Sequence, residues 1–138
     1  MVVTYGKLIG SNLEPGYDGN GRLTHVMDSL GGLTRYSYDE LGRLAQVQQG
    51  PADRNSSVRV KELAIEYDTF GLLKSVRRFA DARRTPVANT SYEYACDGCV
   101  NRLSAMRHRR ASDDAVLHDL VYTRDMNSNV LSQSDAEG

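Results

Sequence analysis

Apolar and polar residues alternate along short stretches of this chain, and each stretch ends in the same punctuation. Thr34, Tyr36 and Tyr38 fall on one side of an extended segment, with Arg35 and Ser37 on the other. Leu63, Ile65 and Tyr67 repeat this period of two, as do Tyr92 and Tyr94. Tyrosine, threonine, valine and isoleucine suit a pleated, half-buried surface. No stretch of ten or more residues shows a clear 3.6-residue apolar spacing. The pattern therefore predicts an all-β chain of about eight to ten strands.

The punctuation is a repeat. "GYDGNGRL", "SYDELGRL" and "EYDTFGLL" place Tyr17, Asp18, Gly21 and Leu23 in register with Tyr38, Asp39, Gly42 and Leu44, and with Tyr67, Asp68, Gly71 and Leu73. A fourth unit, "YEYACDGCVNRL", keeps Tyr94 and Leu103 around two extra residues. A fifth, "YTRDMNSNVL", has Arg124 for tyrosine, Asp125 in place and Leu131 as its closing leucine. Successive leucines lie 21, 29, 30 and 28 residues apart. Seven of the eight tyrosines fall in or just before these motifs.

Each motif residue has a physical task. The aspartate opens a turn by accepting backbone N–H groups two residues on. The glycine supplies the left-handed conformation that closes a type I turn with a bulge. The chain returns as a second strand in "GRLAQVQ", "GLLKSVRRF" and "NRLSAMRH". The motif is a hairpin tip, and its aspartates are accounted for by turn formation rather than acid–base chemistry. The opposite connections ("QGPADRNSS", "FADARRTPVANT", "RRASDDAVL") are polar and of uneven length, while Gly31 and Gly32 offer a shorter turn. The expected organisation is a lead-in over 1–16, hairpin repeats over 17–37, 38–66, 67–93, 94–121 and 122–131, and a polar tail over 132–138.

Composition narrows the functions. The net charge is −1 and 40% of residues are apolar, an ordinary globular balance that points neither to nucleic acid nor to an acidic partner. The basic runs at Arg77–Arg78, Arg83–Arg84 and Arg107–Arg110 come with no recognition motif and read as solvated loop flanks or edge-protecting charges. No run of eighteen apolar residues occurs, so membrane insertion by a helix is not expected. His25, His108 and His118 stand apart, and Asp113–Asp114 is an isolated acidic pair, so neither catalysis nor a metal or cofactor is expected. Cys96 and Cys99 form one C-x-x-C, which lacks the second pair a structural zinc site requires. They read as a loop insertion whose thiols are free or bridged across a tight turn. Tyr36 and Tyr92 are candidates for a glycan platform, although cross-strand packing explains the tyrosine spacing unaided.

The segment "GYDGNGRLTHVMDSLGGLTRYSYDELGRL" closely resembles the YD repeats of Rhs proteins, of the C components of insecticidal toxin complexes and of teneurins. Thr24, Val26, Asp28, Gly31, Thr34 and Tyr36 fill that family's places between tips. The resemblance runs from about Tyr17 to Leu131 and weakens after Leu73. It implies tandem antiparallel hairpins in a twisted sheet that spirals into a hollow shell, walling in a toxin or other cargo. It also implies a secreted or cell-surface setting within a larger bacterial chain. The opening "MVVTYGKLIG" lacks a signal-peptide profile, and the sequence reads as an excised piece. Its partners would be the remaining repeats and their cargo. An open sheet also leaves two unpaired edges, so edge-to-edge self-association is expected. The rival reading is a surface module that binds carbohydrate or a protein through tyrosines and variable loops.

Overall fold

The computed structural model describes residues 3–5, 16–28, 31–53, 57–97, 100–125, 127 and 129–137, with backbone alone for 3–5, 96, 97, 100, 136 and 137. The described residues form ten strands: β1 (Val3–Tyr5), β2 (His25–Asp28), β3 (Gly32–Tyr38), β4 (Leu44–Pro51), β5 (Lys61–Tyr67), β6 (Leu73–Phe79), β7 (Pro86–Asp97), β8 (Val100–Arg110), β9 (Val116–Arg124) and β10 (Val130–Glu137). The strands follow chain order in the sheet. The all-β meander expected from the alternation is what the chain forms. Within the lead-in, Val3–Tyr5 pairs antiparallel with Val26–Asp28.

The chain divides into two compact units, Met1–Ala64 with Phe79–Thr85 and Ile65–Arg78 with Pro86–Gly138. In the first, β2, β3, β4 and the start of β5 pair antiparallel, with a bulge between Ser37 and Tyr38. That register puts Val26, Thr34, Tyr36, Val47 and Leu63 on one face, and His25, Leu33, Gly50 and Glu62 on the other. Leu33 is buried at 3% exposure, and His25 and Glu62 are buried with it.

In the second unit, β7, β8, β9 and β10 pair antiparallel. Thr90 stands opposite His108 and Tyr92 opposite Met106, and those two in turn face His118 and Leu120. The buried apolar residues here are alanines, Ala88 and Ala105. Among the described residues no side chain is fully buried. Burial comes from neighbouring side chains along the sheet faces, so the core stays thin and the backbone ladder carries much of the cohesion.

Candidate functional site

The repeated tips are the most regular chemistry in the molecule. At the first, Asp18 Oδ1 accepts the backbone N–H groups of Asn20 and Arg22, each at 2.9 Å. Gly21 donates to the Asp18 carbonyl at 3.0 Å and takes a φ of 75°. The second tip repeats this: Asp39 Oδ1 receives Leu41 at 3.0 Å and Arg43 at 2.8 Å, with Gly42 at φ 78°. At the third, Asp68 Oδ1 receives Phe70 at 2.9 Å and Leu72 at 2.8 Å, with Gly71 at φ 83°. In the fifth, Asp125 Oδ1 receives Asn127 and Asn129 at 2.9 and 2.8 Å. A carboxylate taking two backbone donors and a left-handed glycine is a type I turn with a bulge.

Two arginines belong to this device that turn spacing alone does not assign. Arg22 Nε donates to Asp18 Oδ2, and Arg43 Nε to Asp39 Oδ2, both at 2.7 Å. The Arg22 guanidinium also lies over the Tyr38 ring, 4.7 Å from its centre. In the fifth tip Asn129 Nδ2 replaces the arginine, reaching Asp125 Oδ2 at 3.0 Å. These donors hold the carboxyls below their ordinary value. For Asp18 the Arg22 amide acts first and its guanidinium next; for Asp125 the Asn129 side chain leads, followed by its amide. For Asp39, partial burial works upward but is outweighed by the Arg43 amide and guanidinium.

The motif tyrosine and leucine also meet. Tyr17 pairs with Leu23, Tyr38 with Leu44 and Tyr94 with Leu103, the last two beside a bulge. In the fifth hairpin Arg124 pairs with Val130, and Leu131 is the extra residue of the bulge. The structure thus moves the closing position of that unit from Leu131 to Val130. The cause is register: Val130 lies six residues past Arg124, as Leu44 does past Tyr38.

Two of the motif tyrosines reach back one repeat. Tyr38 Oη donates to the Leu23 carbonyl at 2.8 Å, and Tyr94 Oη to the Leu73 carbonyl at 2.9 Å. Arg124 Nη2, in the tyrosine's place, donates to the Leu103 carbonyl at 3.2 Å. Burial, followed by the negative charge of Asp68 and by Tyr92, raises the Tyr94 phenol and keeps it a donor.

The opposite connections use the same carboxylate in a form harder to see. Asp28 Oδ1 accepts Gly32 N–H at 2.9 Å, with Gly31 at φ 75°. Asp81 Oδ1 accepts Arg83 and Thr85 at 2.9 and 3.0 Å, with Arg84 at φ 60° in the glycine's position. The shared Asp-x-x-Gly and Asp-x-x-Arg spacing of "DSLG" and "DARR" was the available signal.

The remaining candidates are scattered. Tyr36 is half-buried on β3 opposite Val47. Tyr92 lines a shallow groove of about 210 Å³ with Arg78, Thr90, Met106, His108 and His118. There Arg78 donates to Thr90 Oγ1 at 2.8 Å, which also contacts His108 Nδ1 at 2.8 Å. Burial, then the charges of Arg78 and His118, hold His108 below the ordinary histidine value. Cys96 stands opposite Asn101. Cys99 lies outside the described residues, and with it any bridge between the two. The basic runs are largely paired with carboxylates: Arg77 with Glu66, Arg84 with Glu62, Arg107 with Glu93, Arg109 with Asp119 and Arg110 with Asp113. Among the described residues no group of three metal-binding side chains converges.

Residues 17–53, the span holding the first two tips, match the RHS Repeat family model. The likeness to RHS repeats is shown for that span. It is 34% identical to Double-stranded DNA deaminase toxin A of Burkholderia cenocepacia (strain H111), over 48% of this chain and 6% of that protein. In three dimensions the chain is similar to part of the crystal structure of TcdB2-TccC3-TEV, with a TM-score of 0.66, 26% identity and coverage of 86% of this chain and 5% of the other. It is also similar to part of the Photorhabdus luminescens Tc holotoxin pore, with a TM-score of 0.65, 26% identity and coverage of 87% and 5%. The chain therefore spans a small part of the length of each relative.

Proposed function

We propose that this chain is a non-catalytic wall segment of a shell that encloses a toxin or other cargo, within a larger bacterial protein that is secreted or displayed at the cell surface. The observation that carries this reading is the repeat-to-repeat hydrogen bond from Tyr38 to Leu23, from Tyr94 to Leu73 and, through a guanidinium, from Arg124 to Leu103. In each of these bonds an earlier repeat presents a later one with a backbone acceptor, which supports a sheet that further repeats extend. The likeness to parts of much longer toxin-complex structures supports the same reading. The motif tyrosines, aspartates, glycines and leucines then serve as architecture. The test is limited proteolysis of the full reading frame that contains this segment. Cargo protected in the intact protein and digested after deletion of this segment supports the wall; equal protection in both overturns it. The isolated chain is expected to self-associate through its edge strands. A monodisperse monomer in light scattering would count against that part.

A second reading draws on the Tyr92 groove, whose aromatic, hydroxyl and imidazole lining suits a sugar. A glycan array run with Tyr92→Ala and Tyr36→Ala controls separates the two readings. Specific tyrosine-dependent binding would favour the surface module over the pure wall.

A further inference from the structure

The fourth hairpin departs from the first at one step of the sheet, and the departure leaves positive charge without its usual partners. In the first hairpin Arg22 has two: the Asp18 carboxylate at 2.7 Å and the Tyr38 ring at 4.7 Å. In the fourth, the residue after the motif tyrosine is Ala95, and it stands directly opposite Arg102, one step tipward of the Tyr94–Leu103 pair. The following motif carries Arg124 where Tyr38 would be. Arg102 therefore has neither the carboxylate nor the aromatic ring that its counterpart has, and its Nε is buried without a hydrogen-bond partner.

The two guanidiniums share a cavity. Arg102 and Arg124 line about 220 Å³ together with Ala95, Ser104 and Tyr122. Arg124 is fixed there by its donation to the Leu103 carbonyl at 3.2 Å. A buried guanidinium N–H with no acceptor is costly. A carboxylate relieves this, because its two oxygens match the planar donor fork of arginine. A water occupies about 30 Å³ of liquid, so the cavity has room for a carboxylate on a short stem.

We propose that this cavity binds a carboxylate supplied from outside the hairpin, in the place that Asp18 and Asp39 fill within the first and second hairpins. A small free carboxylic acid and an aspartate or glutamate side chain of another chain present the same group. The proposal stands on the hairpin geometry alone and does not depend on the shell reading.

The experiment follows the arginine Nε–H signals of the 138-residue chain by NMR during titration with acetate, with N-acetylaspartate methylamide, and with chloride at matched ionic strength. A saturable shift of the Arg102 signal with acetate is expected, with no comparable shift from chloride. A response to the aspartyl compound as well shows that a side-chain acid can enter, while a response to acetate alone assigns the site to small free acids. Arg102→Gln is expected to weaken binding about tenfold or more, as loss of a charge-assisted pair does. Ala95→Asp provides the check that does not depend on losing the arginine. It should abolish acetate binding by supplying the carboxylate internally, and raise the thermal midpoint. A chloride response equal to that of acetate overturns the proposal. So does an Ala95→Asp chain that still binds acetate and gains no stability.

Discussion

The first and fourth hairpins keep the same Tyr–Leu cross-strand pair and differ in everything tipward of it. In the first, Asp18, Gly21 and Arg22 close a compact turn whose carboxylate accepts two amides and a guanidinium. In the fourth, the register runs on through Ala95–Arg102, Cys96–Asn101 and Asp97–Val100 before the chain reverses. The conserved part is the one that touches another repeat: Tyr38 donates to Leu23 and Tyr94 to Leu73 in the same way. A tip faces solvent and tolerates exchange, whereas the Tyr–Leu step must fit a neighbouring strand. Leu41 at 77% exposure and Phe70 at 79% occupy the same place in their respective tips and show how little constraint acts there.

The comparison extends to the two units. The first buries a leucine, Leu33, where the second buries Ala88 and Ala105. The largest expected effect is therefore Leu33→Ala, at about 3 kcal/mol from lost transfer energy and a residual cavity. Urea denaturation would measure it, and a loss below about 1 kcal/mol would show that the first unit has no core of its own.

Next in size are the turn glycines. Gly42→Ala should cost about 1–2 kcal/mol, because its φ of 78° strains an L-residue. A Cβ there would also stand 3.2 Å from Arg22 Nη1, whereas at Gly21 it meets open space. Gly21→Ala should therefore cost less than Gly42→Ala, and the reverse order in thermal midpoints would contradict the described packing of the second tip.

Removing the reaching hydroxyls tests the part the hairpins share. Tyr38→Phe and Tyr94→Phe should each cost about 1 kcal/mol, the usual net worth of one hydrogen bond plus a carbonyl left under-satisfied. Similar losses in the two variants support a common ladder. A loss confined to one of them would break the comparison between the hairpins.

Acid should separate the hairpins without mutation. The carboxyls of Asp18 and Asp125 sit below their ordinary value of 3.8 in the folded chain. A depressed acid stabilises the fold above its unfolded value and loses that contribution as pH falls through the lower folded one. Protection of the Asn20, Arg22, Asn127 and Asn129 amides should thus hold at pH 5 and fade below about pH 4. Protection at the Tyr94–Leu103 step, which has no motif aspartate, should outlast it in hydrogen exchange read by NMR. The smallest effect is at Asp114, a non-glycine residue at φ 56°. Asp114→Gly should stabilise by about 0.5–1 kcal/mol in the same denaturation assay.

The alternation Thr34–Tyr36–Tyr38 and the spacing of Tyr, Asp, Gly and Leu were enough to read an all-β chain of antiparallel hairpins. Both are local properties: a period of two chooses the strand, and a carboxylate three residues ahead of a glycine chooses the turn. Other features were hidden because they depend on which strand lies alongside. Nothing within "GRL" says that Arg22 will also cover Tyr38, sixteen residues on in the next repeat. The pairing of Arg124 with Val130 rather than Leu131, by contrast, was legible in the six-residue spacing it shares with Tyr38 and Leu44. The turn at Asp81 escaped because Arg84 takes the left-handed place that a sequence reader assigns to glycine.

By itself, then, the sequence determined the strands, the turns and their repetition, since each is settled by interactions within about seven residues of chain. Only the tertiary structure decided which groups meet across strands. It joined Tyr38 and Tyr94 to the carbonyls of Leu23 and Leu73, and left Arg102 beside a cavity with Ala95 in the aspartate's place. The physical reason is that a hydrogen bond or an ion pair depends on distance in space. In a sheet that distance is set by register between strands, which the local pattern of one strand leaves open.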